Sequence, residues 1–418
     1  MIGYFYRTYT LARKIIKILT RSLLVLLLLL IAVWLLIQTS PVQNWLVKRA
    51  AKSLSANLQT EVTVKHVDFS LFNKMLIEGV LVKDRNKDTL AYIGRAGVHI
   101  TDWFFFKERV ELKYVSLEHT TVFLHRTDSI WNYQFLVDYF SSPSGPKDTT
   151  KKGIELLLKR AELRQIHLIQ KDEWRGQTME GRIGSLKLDI NEFKLAEKRI
   201  AISVLDIVSP YFSILNYDGK RPPRPSRSDD EYHRENVTEH WNEDGWKITA
   251  KNITVENGEF RNDIVTKREA YSFFDPAHLQ FKQIKGSFIN FSLTGDTMQA
   301  AIKVSAKERS GFEVKQLNAD MVWNPLGMEF KNLDARTSKS RLRDYFAMHY
   351  TQFNHDMAQF ITHVMMNGNF KDSEIHSDDI AFFAPQLKDW KDRITVSGTV
   401  KGTVNHLKGS KVIISSLK

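Results

Sequence analysis

The feature that most constrains this chain is an apolar run from Leu23 to Ile37, LLVLLLLLIAVWLLI. Leucine, isoleucine and valine make up nearly all of it, and each such residue favours membrane insertion by roughly 0.3 to 0.6 kcal/mol. A helix over 22–39 would be about 27 Å long, close to the apolar thickness of a bilayer. The sequence therefore predicts a transmembrane anchor at 22–39, which depends on Leu23, Leu24, Leu27, Leu30, Trp34 and Ile37.

The flanks of this run predict its orientation. Residues 1–21 are basic, with Arg7, Arg13, Lys14, Lys17 and Arg21, and such a flank stays in the cytoplasm. A cleaved secretory signal is the alternative, but residues 38–40 lack a small-x-small cleavage site, and Pro41 would follow any cut. We therefore expect a single-pass membrane protein whose N-terminus is cytoplasmic and whose bulk lies across the membrane.

The net charge of +12 does not indicate nucleic-acid binding. Residues 1–60 hold eight Lys or Arg and no Asp or Glu, so only +4 (12 − 8) remains for the other residues. The basic excess belongs to the predicted membrane flanks, where it can meet anionic headgroups. The absence of cysteine excludes disulfides, thiolate metal sites and a cysteine nucleophile.

The anchor is followed by a predicted amphipathic helix at 40–58. Ser40 and Pro41 suit its N-cap and first helical position, and apolar residues recur every four positions from Val42 to Leu58. Its polar face carries Lys48, Arg49 and Lys52. This helix could lie on the bilayer surface or plug the end of the domain that follows.

From Glu61 the apolar pattern alternates, which is typical of strands with one dry and one wet side. The alternation predicts that one face carries Leu186, Leu188, Ile190, Ile302, Val304, Ile394, Val396, Val400 and Val404. Turns are predicted at 84–88, 257–258 and 324–327. Helical spacing between Leu342 and Val364 makes 341–367 ambiguous, because the periodicity by itself indicates a helix there.

Two polar, proline-broken stretches, 141–153 and 221–244, read as linkers. They divide the exported part into a β unit at 59–140, a second at 154–220 and a third at 245–418. The expected fold class is mainly β, with an N-terminal transmembrane helix, a few short helices and an elongated, twisted, antiparallel-type sheet.

The order of these features resembles the AsmA-like group that includes the TamB-type proteins of Gram-negative bacteria. The resemblance rests on the single anchor and on the segments PVQNWL at 41–46, VKHVDF at 64–69, IEGVLVKD at 77–84, WNYQFL at 131–136, DDIAFFAP at 378–385 and VSGTVKG at 396–402. Such proteins are usually much longer, so the resemblance implies that the third β unit is incomplete at its C-terminus.

This resemblance implies an inner-membrane anchor with the bulk of the chain in the periplasm, and it favours two strands joined by a turn at 341–367. It also implies that the sheet folds lengthwise into an open groove lined by its apolar face. The expected partners are phospholipid, the inner membrane and an outer-membrane protein of the BamA/TamA type. The expected function is phospholipid transfer between the two membranes, and the alternative is a scaffold for assembly or secretion of outer-membrane β-barrel proteins. An ordinary closed β-sandwich would give the same alternation, and Gly398 and Gly402 could make room for an acyl chain or merely permit twist.

Catalytic and metal-binding patterns are weak. His349, His355 and His363 share one stretch, but at helical spacing the last two would lie two turns apart, too far for one ion. Neither HExxH nor GxSxG occurs. We expect no enzyme activity, no cofactor and no metal site. The aromatic cluster at 103–106 could dock on a membrane or partner, or could fill a core or turn.

Overall fold

The computed structural model describes residues 39–70, 74–100, 112–141, 157–222, 240–265 and 268–416. Over these residues the chain is mainly β with a few short helices, as the alternation predicts. The strands form one sixteen-stranded sheet whose spatial order is their order in the chain. Each strand therefore pairs with its immediate neighbours in sequence.

Strands β1 to β16 are Val62–Ser70, Lys74–Lys83, Thr89–Ile100, Leu112–Arg126, Arg160–Asp172, Gln177–Lys194, Arg199–Asn216, Lys247–Ile264, His278–Thr294, Thr297–Glu308, Glu313–Asn324, Gly327–Thr337, Arg341–His349, Met365–His376, Arg393–Gly402 and Lys408–Ser416. Helices α1 to α5 are Ser40–Leu58, Gln134–Ser141, Phe353–Ala358, Phe360–His363 and Ser377–Ala381. Two 3₁₀ turns cover Pro385–Leu387 and Val404–His406.

All strand pairs are antiparallel except β4–β5 and β7–β8, which are parallel. Parallel neighbours need a connection that returns to the opposite end of the sheet. Both parallel pairs fall where the linkers 141–153 and 221–244 were predicted, so β5 begins at the same end of the sheet as β4, and β8 at the same end as β7. Hydrogen bonding continues across both, and the three predicted β units share one sheet.

Helix α1 has the predicted bounds, although Thr39, not Ser40, is the N-cap. Its last turn packs at one end of the sheet, where Leu58 and Phe135 of α2 form a buried cluster with Val62 and Leu90. The helix therefore plugs this end, which was one of the two predicted roles. A left-handed Gln59 ends it.

Three local predictions change. Asn257-Gly258 is not a turn but a bulge inside β8, where a left-handed Asn257 absorbs one extra residue. The 341–367 segment contains two strands, as favoured, but α3 and α4 join them in place of a simple turn. Val404 lies beyond β15, because the left-handed Gly402 ends that strand and a 3₁₀ turn follows.

The predicted anchor residues and the aromatic cluster at 103–106 lie outside the described residues. Among the helices that are described, none has both the length and the apolar character needed to cross a bilayer.

The connection between β8 and β9 is organised around a buried carboxylate. Asp275 is 0 % exposed and accepts hydrogen bonds from Arg268 at 2.7 and 2.8 Å and from the backbone amides of Tyr271 and Ala277. The hydrogen bonds from Arg268 hold the pKa of Asp275 well below its usual range. A carboxyl with a lowered folded-state pKa stabilises the fold above its unfolded-state pKa and loses that contribution as the pH falls.

We expect Asp275→Asn to lower the free energy of unfolding by about 1 to 3 kcal/mol near pH 7, because the buried site loses a charged acceptor for Arg268 and for two backbone amides. The loss should shrink below about pH 4, where the unfolded carboxyl protonates. Urea unfolding of the detergent-solubilised protein, followed by tryptophan fluorescence, measures the loss near pH 7 and the loss below about pH 4. Asp389→Asn, at an exposed position, is the control. Equal losses at both pH values would contradict this account.

Candidate functional site: an apolar face across the sheet

The candidate site is one face of the sheet. Residues in register on adjacent strands share a face, so the pairing traces that face from strand to strand. One continuous row, apolar or glycine throughout, crosses β1 to β13: Val67, Ile77, Ala96, Leu117, Leu163, Leu186, Ile207, Val255, Gly286, Val304, Leu317, Ala335 and Leu342. We call the side that carries this row the apolar face.

Eight of the nine residues predicted to line this surface lie on strands that carry the apolar face. Leu186, Leu188 and Ile190 lie on β6, Ile302 and Val304 on β10, and Ile394, Val396 and Val400 on β15. A second paired row, Ala300, Met321, Phe330, Phe346, Gly368 and Val400, joins β10 to β15. Val404 does not belong to this face, and it is 46 % exposed in its 3₁₀ turn.

The lining is unevenly covered. Around β10, Ile302 and Leu333 are buried in a cluster that phenylalanines of neighbouring strands complete. By contrast, no residue of β7 is buried, and Leu168 and Phe212 are each 42 % exposed although they lie on the apolar face. A second layer of structure would bury such side chains. The apolar face is therefore accessible over β5 to β7.

Gly181 marks the most open point of this region. It pairs with Leu168 on one side and Phe212 on the other, and a Cβ placed on it would meet no atom within 4 Å. These three residues were not predicted from the sequence. The available signal was the slip in alternation from Leu163 to Ile166, which moves the apolar positions of β5 by one residue.

Gly398 and Gly402, which were predicted to make room or permit twist, stand where another backbone segment passes close by. Gly398 and Gly402 have φ of +126° and +137°, and an added Cβ would lie 2.4 Å from the carbonyl oxygen of Lys411 and 2.1 Å from that of His406. A side chain is therefore sterically excluded at both positions. The structure supports the conformational role of these glycines, not the opening of space.

The opposite face is charged. Glu78, Arg95, Glu118 and Arg164 are paired in register across β2 to β5, and successive guanidinium–carboxylate distances are 3.0, 3.8 and 3.7 Å. Arg95 and Arg164 are more than half exposed, so these pairs contribute little to stability. These ion pairs keep this face hydrated and distinguish it from the apolar face.

One ion pair ends the apolar face at β4 and β5. Arg126 donates to both carboxylate oxygens of Asp172 at 2.8 and 2.6 Å, and the two side chains are only 11 and 5 % exposed. Burial is the largest single influence and would raise the pKa of Asp172. Hydrogen bonds from Arg126 and from the backbone amide of Arg175, with the charges of both guanidinium groups, together outweigh burial, and the pKa is lowered. The neighbouring Glu173 accepts from Lys171 and Lys220, which lowers its pKa to about 2. These carboxylates stay charged and fix the strand ends.

A cavity of about 430 Å³ lies at the same rim further along the sheet, between Phe273, Phe382 and several lysines. Lys339 and Lys391 both pair with Asp378, whose pKa their hydrogen bonds lower to about 2. The lining also holds Lys388, Glu313 and Asp379, so three lysines face three carboxylates and the cavity wall has no net charge. The cluster joins α5 to the β12–β13 hairpin, and its paired charges do not favour an anionic ligand.

The histidine cluster differs from the helical expectation. The rings of His355 and His363 lie 5.4 Å apart, because the chain breaks between α3 and α4, so the predicted two-turn separation is wrong. His355 Nδ1 also lies 3.1 Å from Asp356, which caps the segment through Thr351 and Gln352. No group of three or more potential metal ligands occurs among the described residues.

We expect Ile302→Asn and Lys303→Asn to have very different effects, because these neighbours point to opposite faces. Asparagine at the buried position 302 should lower the free energy of unfolding by about 2 to 4 kcal/mol through lost packing and an unpaired amide. At the exposed position 303 the change should stay within about 0.5 kcal/mol. Urea unfolding compares the two variants, and equal losses would contradict the assignment of the faces.

Comparison with known proteins identifies no relative for this chain. No protein-family model matches it, and neither does any curated protein. The resemblance to the AsmA-like group therefore continues to rest on the order of the sequence segments.

Proposed function

We propose that this protein is anchored in the inner membrane and that the apolar face of its periplasmic part forms a hydrophobic groove for phospholipid movement between the inner and outer membranes. An acyl chain is insoluble in water, so a route across an aqueous compartment needs a continuous apolar lining. Transfer of this kind changes no covalent bond. No catalytic residue is assigned.

The observation that carries the proposal is the accessible part of the apolar face. Leu168 and Phe212 keep 42 % of their surfaces exposed while standing in an apolar row, and Gly181 leaves open space between them. Solid cores bury such side chains almost completely. An acyl chain lying over Gly181 would remove this surface from water.

Length also favours movement along the face over binding at one point. The row from β1 to β13 crosses twelve strand intervals, about 58 Å at roughly 4.8 Å per interval. This is about twice the apolar thickness of a bilayer. This row contains no polar side chain that would hold a lipid at one place.

Aligned left-handed residues favour a bent sheet. His119 and Gln165 are left-handed and face each other across β4 and β5, and Asn257 donates to the left-handed Ser209 across β7 and β8. The register is unbroken at both places, so these residues interrupt the extended backbone without a bulge between the two paired strands. Such interruptions at one height in successive strands would bend the sheet along a line, as a groove requires.

Phe212 and Tyr211 offer a matched crosslinking test, because both are aromatic and they point to opposite faces. With benzoylphenylalanine at either position, we expect phospholipid adducts in cells from position 212 only. Mass spectrometry of the purified protein identifies the adducts. Val400 and Lys401 form the corresponding pair on β15. Lipid adducts at similar yield from positions 211 and 212 would contradict the proposal.

We expect Gly181→Trp to obstruct the groove, since the new ring would fill the space between Leu168 and Phe212. The fold should tolerate it, because a Cβ at this position contacts nothing. The lipid adduct yield at position 400 should fall several-fold, while thermal stability should change little. Arg182→Trp, on the opposite face, is the control. An unchanged adduct yield would show that lipid does not pass over Gly181.

A second candidate function is a scaffold for outer-membrane β-barrel proteins. It is favoured by β16, where Ile413 and Ile414 are 69 and 61 % exposed and β15 is the only described strand that pairs with it. An exposed edge strand can accept a strand from a partner. Benzoylphenylalanine at position 413 distinguishes the two functions, since the scaffold predicts protein adducts there and the groove does not require them.

A further inference from the structure

One surface of α1 has no role in the packing described above. Pro41, Trp45, Lys48, Arg49, Lys52 and Ala56 follow helical spacing along one side of α1, and all six are exposed. We call this side the outward face. Trp45 is 56 % exposed, an unusual position for so large an apolar ring.

The side of α1 that adjoins the outward face is fixed to the sheet, so the helix cannot roll to bury Trp45. Asn44 Oδ1 accepts from the backbone amide of Val67 at 2.9 Å, and Ser55 Oγ accepts from that of Val62 at 2.8 Å and donates to its carbonyl oxygen at 3.0 Å. Gln43, Ala51 and Leu58 are buried on the same side. These contacts hold the outward face away from the sheet.

The charge of the outward face selects the partner. It carries three cations, and residues 1–60 contain no carboxylate side chain to neutralise them. The Arg49 guanidinium lies 5.6 Å from the centre of the Trp45 ring. An exposed tryptophan among basic side chains suits the boundary between anionic headgroups and acyl chains, where the ring sits at headgroup level and the cations meet phosphate. The predicted anchor ends next to this helix in the sequence.

We propose that the outward face of α1 lies on the headgroups of an anionic phospholipid leaflet. The contact makes α1 a rigid bridge between membrane and sheet, because the same helix holds the edge strand β1 through Asn44 and Ser55. It thereby sets the orientation of the apolar face relative to the bilayer. This inference rests on the proposed membrane attachment but not on lipid transfer.

The test uses the full chain in nanodiscs, and the absence of native cysteine makes single-site labelling clean. An environment-sensitive fluorophore is placed on Ala56→Cys, in the outward face, or on Ala50→Cys, which is exposed outside it. We expect iodide to quench the label at 56 several-fold less in discs of equimolar phosphatidylcholine and phosphatidylglycerol than in phosphatidylcholine alone. The label at 50 should be quenched equally in both.

Lys48→Glu, Arg49→Glu and Lys52→Glu together should abolish the shielding at 56, and salt at about 1 M should weaken it by screening. Strong quenching at 56 in both kinds of disc would overturn the proposal, because the label would then face water. Weak quenching in both would overturn it too, because a protein segment would then cover the helix. Failure of lipid transfer would appear separately, as the loss of adducts at position 212.

Discussion

The constraint on which this structure depends is the twofold alternation of side chains along a β-strand. A slip of one residue would move every apolar side chain of a strand to the charged face. A left-handed residue breaks the extended backbone of β4, β5, β7 and β8 and interrupts the alternation there. The conflict is resolved because neighbouring strands place this residue at the same height. His119 faces Gln165, and Ser209 lies against Asn257, so pairing resumes in register on both sides of the break.

The two edges of the sheet differ in what covers them. Backbone groups of β1 are satisfied by side chains of α1, and the helix covers that edge as natural proteins often cover an exposed strand. The outer edge of β16 has no such cover among the described residues. The first edge thus belongs to membrane attachment in our proposal, and growth or partner binding by strand pairing would have to use the second.

Ion pairs and apolar packing have separate places in this molecule. Exposed pairs such as Arg95 with Glu78 mark the wet face and contribute little energy. Pairs with a buried carboxylate, Arg126 with Asp172 and Arg268 with Asp275, instead fix the chain near the strand ends. The paired apolar row from Val67 to Leu342 contains no charged residue, which is what passage of a hydrocarbon chain would require.

The sequence by itself determined which residues alternate, where the helix at 40–58 begins and ends, and that strands dominate after Glu61, because these depend on periodicities that are local in the chain. Ile302 and Val396, which the alternation predicts to share one face, are both buried in the structure. Only the tertiary structure decided that sixteen strands pair in order, that Asn257-Gly258 is a bulge and not a turn, and that Phe212 stays accessible while Ile302 is buried. Turn and bulge use the same Asn and Gly residues, and burial depends on what neighbouring strands place above a side chain. Neither can be read from one segment alone.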